Sequence, residues 1–500
     1  MNYQIGLSAL ARCLQGDAGH ATKLHTLEFR LINSLDQERL FGTNENTRSE
    51  IAQIIYSLND LALRNCGVSF TDLCRGVKCA TLPQQLPPDV QQHSYSGDRR
   101  SEPIVFRMQL SQIGRGEIEL RVLESESGEP RAKITVPFSQ EDLLAVEQVL
   151  AQRNLAGLTA SQLATLARFG LLTDSRLFSD YLVRLGRVLY SSLFPEDVGT
   201  AFAQVCNRAR ASREPVSLQL RIDVDDTLIA SYPWELIHDG QQWLAASGVV
   251  EVSRYVPYRR SVTTTSIDLP ARLLYIECRP KDLISLPRNV ERLAAWNALQ
   301  PLAESGQITL QRLEKPTYNS LLNALGESEY DMIHFDGHGV QMKQCQECGS
   351  MSEIPHSRCQ NCGSSLPETR IQSFLAFEDS EGKADMVSAQ DMEMVFSSRS
   401  IRLVMLSACY GSRILGGNGF GTISPALIRA GVPAVVAMQY EVPVQATINF
   451  AESFYTAISR GESISRAVSE GRRRLFRDDT WFIPTLHLRT HDHEGRLFTV

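Results

Sequence analysis

From residue 271 to residue 439 the sequence alternates short apolar segments with helical stretches, and no other feature restricts the fold as strongly. The predicted strands are 272–278, 308–313, 330–335, 374–377, 401–408 and 434–439. Strands that are apolar at nearly every position are typical of a parallel sheet with both faces covered. In such sheets the reactive groups collect beyond the carboxyl ends of the strands. We therefore expect an α/β domain with a functional site at one sheet edge.

Two of these predicted strands are followed by side chains that can carry out proton transfer and nucleophilic attack. His338 follows the strand at 330–335, and Cys409 follows the strand at 401–408. If the two strands are close neighbours, the imidazole can serve as general base and leaving-group acid, and the thiol can attack a carbonyl. A histidine or cysteine at a strand end is more often a packing residue, so either position alone is weak support for catalysis.

Gly339, directly after His338, has no side chain, so its backbone N–H can approach a substrate carbonyl. The N–H groups of Gly339 and Cys409 are the candidate oxyanion hole for a tetrahedral intermediate. His334 lies within the same predicted strand and is interpreted as a structural residue.

Residues 103–265 contain an earlier group of strands with alternating apolar positions. Strands are predicted at 104–110, 118–123, 132–138 and 216–224, and helices at about 139–153 and 159–170. This region therefore reads as a strand-rich half that precedes the α/β half at 266–500.

A hydrophobic strand followed by His338-Gly339, and a second one followed by Ala408-Cys409, resembles the caspase- and separase-like cysteine peptidases, and more closely their CHAT branch. The resemblance covers roughly residues 100–500. Similar segments are LFPEDV at 193–198, Pro233-Trp234-Glu235-Leu236, Ser253-Arg254-Tyr255, and the stretches 419–440 and 449–475. It implies a caspase-like parallel sheet flanked by helices, preceded by a strand-rich CHAT half. It also implies a His338–Cys409 dyad without a third catalytic residue.

One departure from the family pattern concerns substrate specificity. The separases and many CHAT sequences that this chain resembles carry an acidic residue a few positions after the strand that matches 434–439. In separases that acid faces a basic P1 side chain. Here Val444 occupies the corresponding position, and Glu441 is the nearby acid. Either P1 is not basic, which we favour, or Glu441 replaces the missing carboxylate, so both residues are substrate-pocket candidates.

Four cysteines stand at metal-ligand spacing shortly after His338. Cys345 and Cys348 form one C-x2-C pair, and Cys359 and Cys362 form a second. A glycine follows each pair, as in zinc knuckles, and four thiolates make the closed tetrahedral shell of a structural zinc site. The sequence therefore predicts a zinc-ribbon insertion at 343–366, whose folding depends largely on the metal. His356, in the loop between the pairs, is not expected to be a ligand.

The resemblance does not explain this insertion, and two functions are open for it beyond structural support. It can be a surface that binds a protein substrate or a regulator, or it can bind nucleic acid. The loop MSEIPHSR at 351–358 has little basic charge and no aromatic residue, which disfavours phosphate contacts and base stacking. We favour protein binding or plain structural support.

Residues 1–80 read as a small all-α domain, followed by a linker at 81–102 rich in Pro, Gln and Ser. The clearest helix follows a capping box at Thr47–Glu50 and has an apolar stripe at helical spacing. Members of that stripe are Ile51, Ile54, Ile55, Leu58, Leu61 and Ala62. The segment 28–74 resembles the helical effector-associated domains that precede effectors in bacterial conflict systems. That resemblance implies recruitment of a regulatory protein partner; the alternative is a helical extension packed on the peptidase.

Composition excludes several classes of protein. The formal net charge is −7, which argues against a broad nucleic-acid or membrane-surface footprint. The N-terminal sequence lacks a secretory apolar core, and no apolar run reaches the roughly 18 residues that span a bilayer. We therefore expect a cytoplasmic protein without membrane association.

Together these features predict a zinc-containing cysteine endopeptidase that cleaves a protein substrate. The resemblance implies a regulated effector in bacterial antiphage defence or programmed cell death. The main alternative is a catalytically silent scaffold that uses the same fold for binding. A second alternative is an effector that senses nucleic acid through the zinc ribbon.

Overall fold

The computed structural model describes residues 103–498 with gaps at 115, 174–175, 224–225, 258–265, 284–293, 354–355, 367–370, 409–422 and 441. Before residue 103 it describes Leu7, Leu10, Leu24, Leu27, Leu31, Ile51, Ile54, Ile55, Leu58, Ala62, Phe70 and Cys74. The chain divides into two compact units, Met1–Arg99 and Arg100–Val500.

The described residues of the first unit are helical except Cys74, and most of them form one buried apolar cluster. Ile54, Leu58 and Ala62 are fully or almost fully buried, and Ile51 packs at the edge of the cluster. Their spacing of four residues places them on one helix face. For these residues the predicted apolar stripe faces a core; Leu61 and the capping box lie outside the described residues.

The second unit contains all the described strands. They are β1 (Ile104–Gly114), β2 (Glu117–Glu124), β3 (Arg131–Thr135), β4 (Leu172–Thr173), β5 (Arg176–Leu177), β6 (Val216–Ile222), β7 (Val250–Tyr255), β8 (Ala271–Glu277), β9 (Ile308–Arg312), β10 (Met332–Gln344), β11 (Met351–Glu353), β12 (Ile371–Glu378), β13 (Ala384–Ser388), β14 (Leu403–Ala408), β15 (Ala434–Met438) and β16 (Pro484–Leu488).

Helices connect most of these strands. They are α1 (Gln140–Gln152), α2 (Ala160–Arg168), α3 (Tyr181–Leu193), α4 (Glu196–Ser212), α5 (Thr227–Ser231), α6 (Ala294–Glu304), α7 (Tyr318–Glu327), α8 (Ala389–Phe396), α9 (Ile423–Ala430), α10 (Val444–Ser459) and α11 (Ile464–Arg474), with short 3-10 turns at Trp234–Leu236, Leu244–Ala246 and Phe476–Asp478. Capping boxes begin α1, α2 and α8, because Ser139, Thr159 and Ser388 each exchange hydrogen bonds with the residue three positions later.

Fourteen strands form one sheet, and β4 and β5 form a separate pair. Along the sheet the order is β9-β8-β10-β14-β15-β16-β7-β6-β1-β2-β3, with β12, β13 and β11 joined through the far end of β10. The strands β9, β8, β10, β14 and β15 are parallel to one another, and so are β16, β7, β6 and β1. The two parallel groups meet at the antiparallel pair β15–β16. The carboxyl ends of their strands therefore open at opposite edges of the sheet.

The central strands are buried at consecutive positions, which means that both sheet faces are covered. Every residue of β15 and of β16 is buried, and six of the seven in β6 are. This confirms the predicted fold class, an α/β protein with a large parallel sheet flanked by helices. Within the described ranges, no helix is both long and apolar enough to cross a membrane.

Two features of the sheet differ from expectation. The strands of 103–265 and of 266–500 share one sheet, joined through β7 and β16, neither of which was predicted. In addition, β10 runs to Gln344, whereas the predicted strand ended at Phe335. The strand continues past its parallel neighbours because β12 and β11 supply new antiparallel partners.

Candidate functional site

His338 lies inside β10, at the point where the strand changes partners. The parallel pairing with β8 ends where Asp336 lies opposite Glu277, and the pairing with β14 ends where Gly337 lies opposite Ala408. From His338 onward, β10 pairs antiparallel with β12, and His338 lies opposite Ala376. His338 is therefore the first residue beyond the carboxyl ends of the parallel strands, which is the expected edge for chemistry.

The His338 side chain is in an environment that disfavours its charged form. The residue is 3% exposed. Burial, and then the positive charge of Arg279, lower the pKa of His338 to about 4, although Asp336 acts in the opposite direction. At neutral pH the imidazole is therefore uncharged and can accept a proton.

Arg279, Asp336 and Tyr275 form a hydrogen-bonded cluster beside His338. Arg279 Nη2 lies 2.8 Å from Asp336 Oδ2, and Arg279 Nη1 donates to the Asp336 carbonyl at 2.7 Å. The Tyr275 hydroxyl donates to Asp336 Oδ2 at 2.8 Å. Burial would raise the pKa of Asp336, but the Arg279 charge and these hydrogen bonds hold it below its ordinary value. The carboxylate is therefore ionised and paired.

The two glycines around His338 serve different purposes. A Cβ at Gly337 would lie 2.8 Å from the Phe335 ring and 3.1 Å from Cys278, so a larger residue does not fit there. Gly339 lies opposite Leu375 of β12 and is partly exposed. Its partial exposure fits the requirement that an oxyanion-hole N–H be reachable by a substrate.

Three other predicted site positions are only partly described. Cys409 and Glu441 lie outside the described residues. Val444 is the first residue of α10. Of the neighbouring residues, Ala408 ends β14, and Tyr440 is buried after the end of β15.

His334 has the surroundings of a structural histidine. It is fully buried, and its Nδ1 lies 2.8 Å from the Tyr455 hydroxyl of α10. Burial lowers its pKa to about 4. These contacts agree with the structural interpretation made from the sequence.

The four cysteines of the insertion come together. All four sulfurs lie within 4.8 Å of one another, and they belong to Cys345, Cys348, Cys359 and Cys362. The Cys345 and Cys362 sulfurs are 3.6 Å apart, and those of Cys348 and Cys359 are 3.5 Å apart. The cluster is compatible with a metal site of four sulfur ligands.

Both C-x2-C pairs have the same turn geometry. The Gly349 N–H donates to the Cys345 carbonyl at 3.0 Å, and the Gly363 N–H donates to the Cys359 carbonyl at 2.9 Å. Both glycines have positive φ, +73° and +76°, which other residues adopt only with strain. The neighbouring Ser350 lowers the pKa of Cys348 to about 6, which favours the thiolate that binds metals.

Glu235 and Arg254, which belong to two of the family-like motifs, meet Gln439 from a distant part of the sequence in a buried network. Glu235 and Arg254 form a bidentate pair with distances of 2.6 and 3.1 Å, and the two side chains are 0% and 4% exposed. Gln439, directly after β15, donates to Glu235 at 3.1 Å and accepts from Arg254 at 3.1 Å. The earlier half of the sheet therefore holds the end of the strand that leads to Tyr440 and Glu441.

Sequence reasoning did not single out Arg279, Asp336, Tyr275 or Gln439. A signal existed for two of them. Arg279 follows the predicted strand 272–278, so the rule that selected His338 and Cys409 also applies to it. Asp336 stands two residues before His338, the spacing at which side chains share one face of a strand.

Three solved structures are similar to this chain. Two crystal structures of the Saccharomyces cerevisiae separase–securin complex match at 11% and 12% identity, each with a TM-score of 0.40. Each match covers 77% of this chain and 30% of the matched chain. The Arg-specific cysteine proteinase gingipain R matches at 10% identity and a TM-score of 0.33, over 71% of this chain and 74% of its own.

This chain thus spans less than a third of the chain it matches in the separase–securin complex. No curated protein matched the sequence. Residues 183–492 match the family model described as the CHAT domain. Because that match covers more than half of the 500 residues, the chain belongs to the CHAT domain family.

Proposed function

We propose that this protein is a cysteine endopeptidase in which His338 is the general base and Cys409 the nucleophile. The observation that carries the proposal is the register between β10 and β14. In the pair Met332–Leu403 and in the pair Gly337–Ala408, the two residue numbers differ by 71. The same offset, applied to His338, leads to position 409. Paired residues of parallel strands direct their side chains to the same face of the sheet.

The chemistry of such a dyad follows from these roles. The Cys409 sulfur attacks the carbonyl carbon of a peptide bond while its proton passes to His338. His338 then gives the proton to the amine that leaves, and a thioester remains on Cys409. A water molecule hydrolyses the thioester with His338 again as base. The N–H groups of Gly339 and Cys409 are the proposed donors to the oxyanion in both steps.

The pocket for the P1 side chain is proposed to lie near Glu441 and Val444, and the question of its charge is sharpened by Glu147 of α1. Glu147 is 8% exposed, and its charge acts on the buried Tyr440. Burial raises the pKa of Glu147 to about 8. At pH 7 this carboxyl is therefore mostly protonated, so Glu147 does not replace the missing acid. The alternatives stay a P1 residue that is not basic, which we favour, or Glu441 as the replacement.

The four-thiolate cluster is proposed to hold a structural zinc ion. Tetrahedral zinc with Zn–S bonds of about 2.3 Å places its sulfurs about 3.8 Å apart. The two shorter pairs, at 3.6 and 3.5 Å, are close to that value. Zinc in this closed shell would supply folding energy to the insertion at 343–366 and no catalytic step.

The partners of the peptidase are also proposals. The exposed face of the insertion and the helical N-terminal unit are the surfaces proposed for a protein substrate and a regulatory protein. A cytoplasmic effector of bacterial defence or programmed cell death fits this combination, since an unregulated protease would damage its host. Partner binding would then shift the protein from a latent to an active state.

The decisive experiment is N-terminal peptide mapping of host lysate after expression of the wild type or of Cys409→Ala, alone and with the genomic neighbours. Cys206→Ala is the matched control, because Cys206 is a buried thiol of α4. We expect new cleavage sites with the wild type and the control, and none with Cys409→Ala or His338→Ala. Their P1 residues would report the charge of the pocket.

If the wild type, with its neighbours present, produces no cleavage that depends on Cys409, the peptidase proposal fails and the scaffold alternative gains support. Nuclease treatment tests the second alternative, an effector that senses nucleic acid through the zinc ribbon. Loss of activity or of bound mass after nuclease treatment would favour a nucleic-acid sensor, whereas unchanged activity would contradict it.

A further inference from the structure

Arg279 is fixed at the sheet edge by both its backbone and its side chain. Its N–H donates to Glu378 Oε1 of β12 at 2.8 Å. Its guanidinium donates to the carbonyls of Cys278 and Asp336 and pairs with the Asp336 carboxylate. The side chain is 25% exposed, so a cation is held at a surface that solvent and substrate can reach.

The position of this cation relative to His338 follows from β10. Asp336 and His338 are two residues apart on the strand, so their side chains lie on the same face. Arg279 reaches that face from the end of β8, the neighbouring strand. A guanidinium keeps its charge at every accessible pH, so it acts on His338 as a fixed positive charge.

Among the described residues, the other charged and titratable groups near His338 are paired with other partners or uncharged. On β8, Glu277 pairs with Arg312, and Tyr275 donates to Asp336. On β12, Glu378 accepts from the Arg279 backbone. On α10, Tyr455 contacts His334 instead. Cys278, next to Arg279, is a buried thiol whose pKa burial raises well above its usual value, so it is uncharged.

We propose that Arg279, held by Asp336 on the face of β10 that carries His338, is a positioning residue that adds a fixed positive charge to the effect of burial at the imidazole, so that the dyad rests as thiol and imidazole and not as an ion pair. The inference rests on the proposed function for its catalytic consequence. The effect of Arg279 on the charge of His338 depends only on Arg279, Asp336 and His338, which the structure describes.

A mechanistic difference follows. In a preformed ion pair the thiolate exists before substrate binds, so the thiol reacts with alkylating reagents down to acidic pH. In a neutral dyad the proton moves from Cys409 to His338 only as the sulfur attacks. The reaction of Cys409 with iodoacetamide should therefore rise with pH in a single step near the ordinary thiol pKa of about 8.5.

The direct test is a titration of His338 by NMR in protein labelled at histidine and carrying Cys409→Ala. The His338 signal is assigned by its loss in His338→Gln. In Arg279→Met we expect the pKa of His338 to rise by about 1 unit, because a nearby unit charge is removed. Arg279→Lys should restore most of the lowered value. In Asp336→Asn the pKa should fall, because a negative charge is removed.

The matched control is Arg312→Met, which removes an arginine at the same sheet edge that pairs with Glu277 and not with Asp336. It should leave the His338 titration unchanged. Thermal unfolding of each variant checks that the fold is intact. An Arg279→Met protein that is folded and titrates within about 0.2 unit of the parent would overturn the inference.

Failure of the inference and failure of the proposed function give different results. If Arg279→Met shifts the His338 titration but no Cys409-dependent cleavage is found, the inference stands and the peptidase proposal fails. If Cys409-dependent cleavage is found but Arg279→Met does not shift the His338 titration, the peptidase proposal stands and the inference about Arg279 fails. With both intact, the acidic limb of the kcat/KM profile in Arg279→Met should move to higher pH by the same amount as the NMR titration.

Discussion

The protein contains two arginine–carboxylate pairs of similar geometry, one in each half of the sheet. Glu235 and Arg254 join the earlier half to the end of β15, and neither side chain is more than 4% exposed. Arg279 and Asp336 stand beside His338, and the arginine is 25% exposed. The N···O distances, 2.6 and 2.8 Å, hardly distinguish them.

The difference between the two pairs is in their surroundings. The hydrogen bonds of Arg254 are to buried or half-buried protein groups, including the carbonyls of Ala230 and Tyr232. Arg472, also buried, lies 3.8 Å from Glu235 as a second cation. Glu235 therefore compensates two buried charges, whereas Asp336 compensates one that partly faces water. The first pair therefore supports the fold, and the second is the pair that we propose acts on His338.

The largest effect on stability is expected from Glu235→Ala. It leaves Arg254 and Arg472 buried without their counter-charge, which should lower the free energy of unfolding by about 3–5 kcal/mol. Urea unfolding followed by tryptophan fluorescence measures it, because Trp234 is buried next to Glu235. The control is Glu126→Ala, at an exposed pair with Arg208, where less than about 1 kcal/mol is expected. Equal losses in both variants would remove the contrast between the two kinds of pair.

Asp336→Ala should cost less, about 1–3 kcal/mol, because Arg279 can turn toward water once its partner is lost. The double variant Arg279→Met with Asp336→Ala should recover part of that loss. The same urea titration measures both variants. A loss as large as that of Glu235→Ala would mean that this pair is also a support of the fold.

Stability should depend on pH through buried groups in both halves. Burial lowers the pKa of His334 and His338 to about 4 and of His487 to about 3, so protonation of the unfolded chain lowers stability as pH falls below 6.5. Burial raises the pKa of Glu147 to about 8 and of Glu251 to about 7. Stability is lost as pH rises from 4.5 through those values, because the unfolded carboxylates ionise first.

From pH 4.5 to 6.5 the two effects oppose each other, and above 6.5 the carboxylates alone remain. We therefore expect a maximum of stability near pH 6.5. Between pH 6.5 and 8.5 the loss should be on the order of 1–2 kcal/mol. Melting temperatures across this range test it, and Glu147→Gln should reduce the alkaline loss. A wild-type curve that keeps rising to pH 8.5 would contradict the buried-carboxylate assignment.

The smallest effect on the sheet is expected from metal removal. A chelator should open the insertion locally, so that hydrogen exchange increases in 341–344 and 351–353. The melting temperature of the remaining unit should change little, by the equivalent of less than about 1 kcal/mol, because the main apolar core contains none of the four cysteines. Cys348→Ser should reproduce the effect without chelator. Collapse of the whole fold on chelation would contradict this separation.

The sequence predicted the features that depend on neighbouring residues better than those that depend on residues far apart in the chain. The strands that became β8, β14 and β15 were predicted within two residues, because burial on both faces leaves a continuous apolar run. The helices predicted at about 139–153 and 159–170 correspond to α1 and α2, and the structure shows that a local capping box begins each of them.

Long-range pairing was not predictable from one sequence. The motifs around Glu235 and Arg254 were recognised separately, but nothing in them indicated that their side chains also contact Gln439 and Arg472, about 200 residues later in the chain. The polar composition of 338–344 hid the extension of β10, since its partners β11 and β12 lie across the insertion. Asp336 was passed over because its role depends on an arginine 57 positions earlier.

The length of β10 separates His338 from the cysteine cluster that begins at Cys345. His338 and Cys345 are seven residues apart, and an extended strand rises about 3.3 Å per residue, so their Cα atoms lie up to about 23 Å apart. At such a separation a zinc ion held by the four thiolates would have little direct effect on the charge of His338. We therefore expect the insertion and the sheet edge at His338 to influence each other through the backbone of the strand that they share.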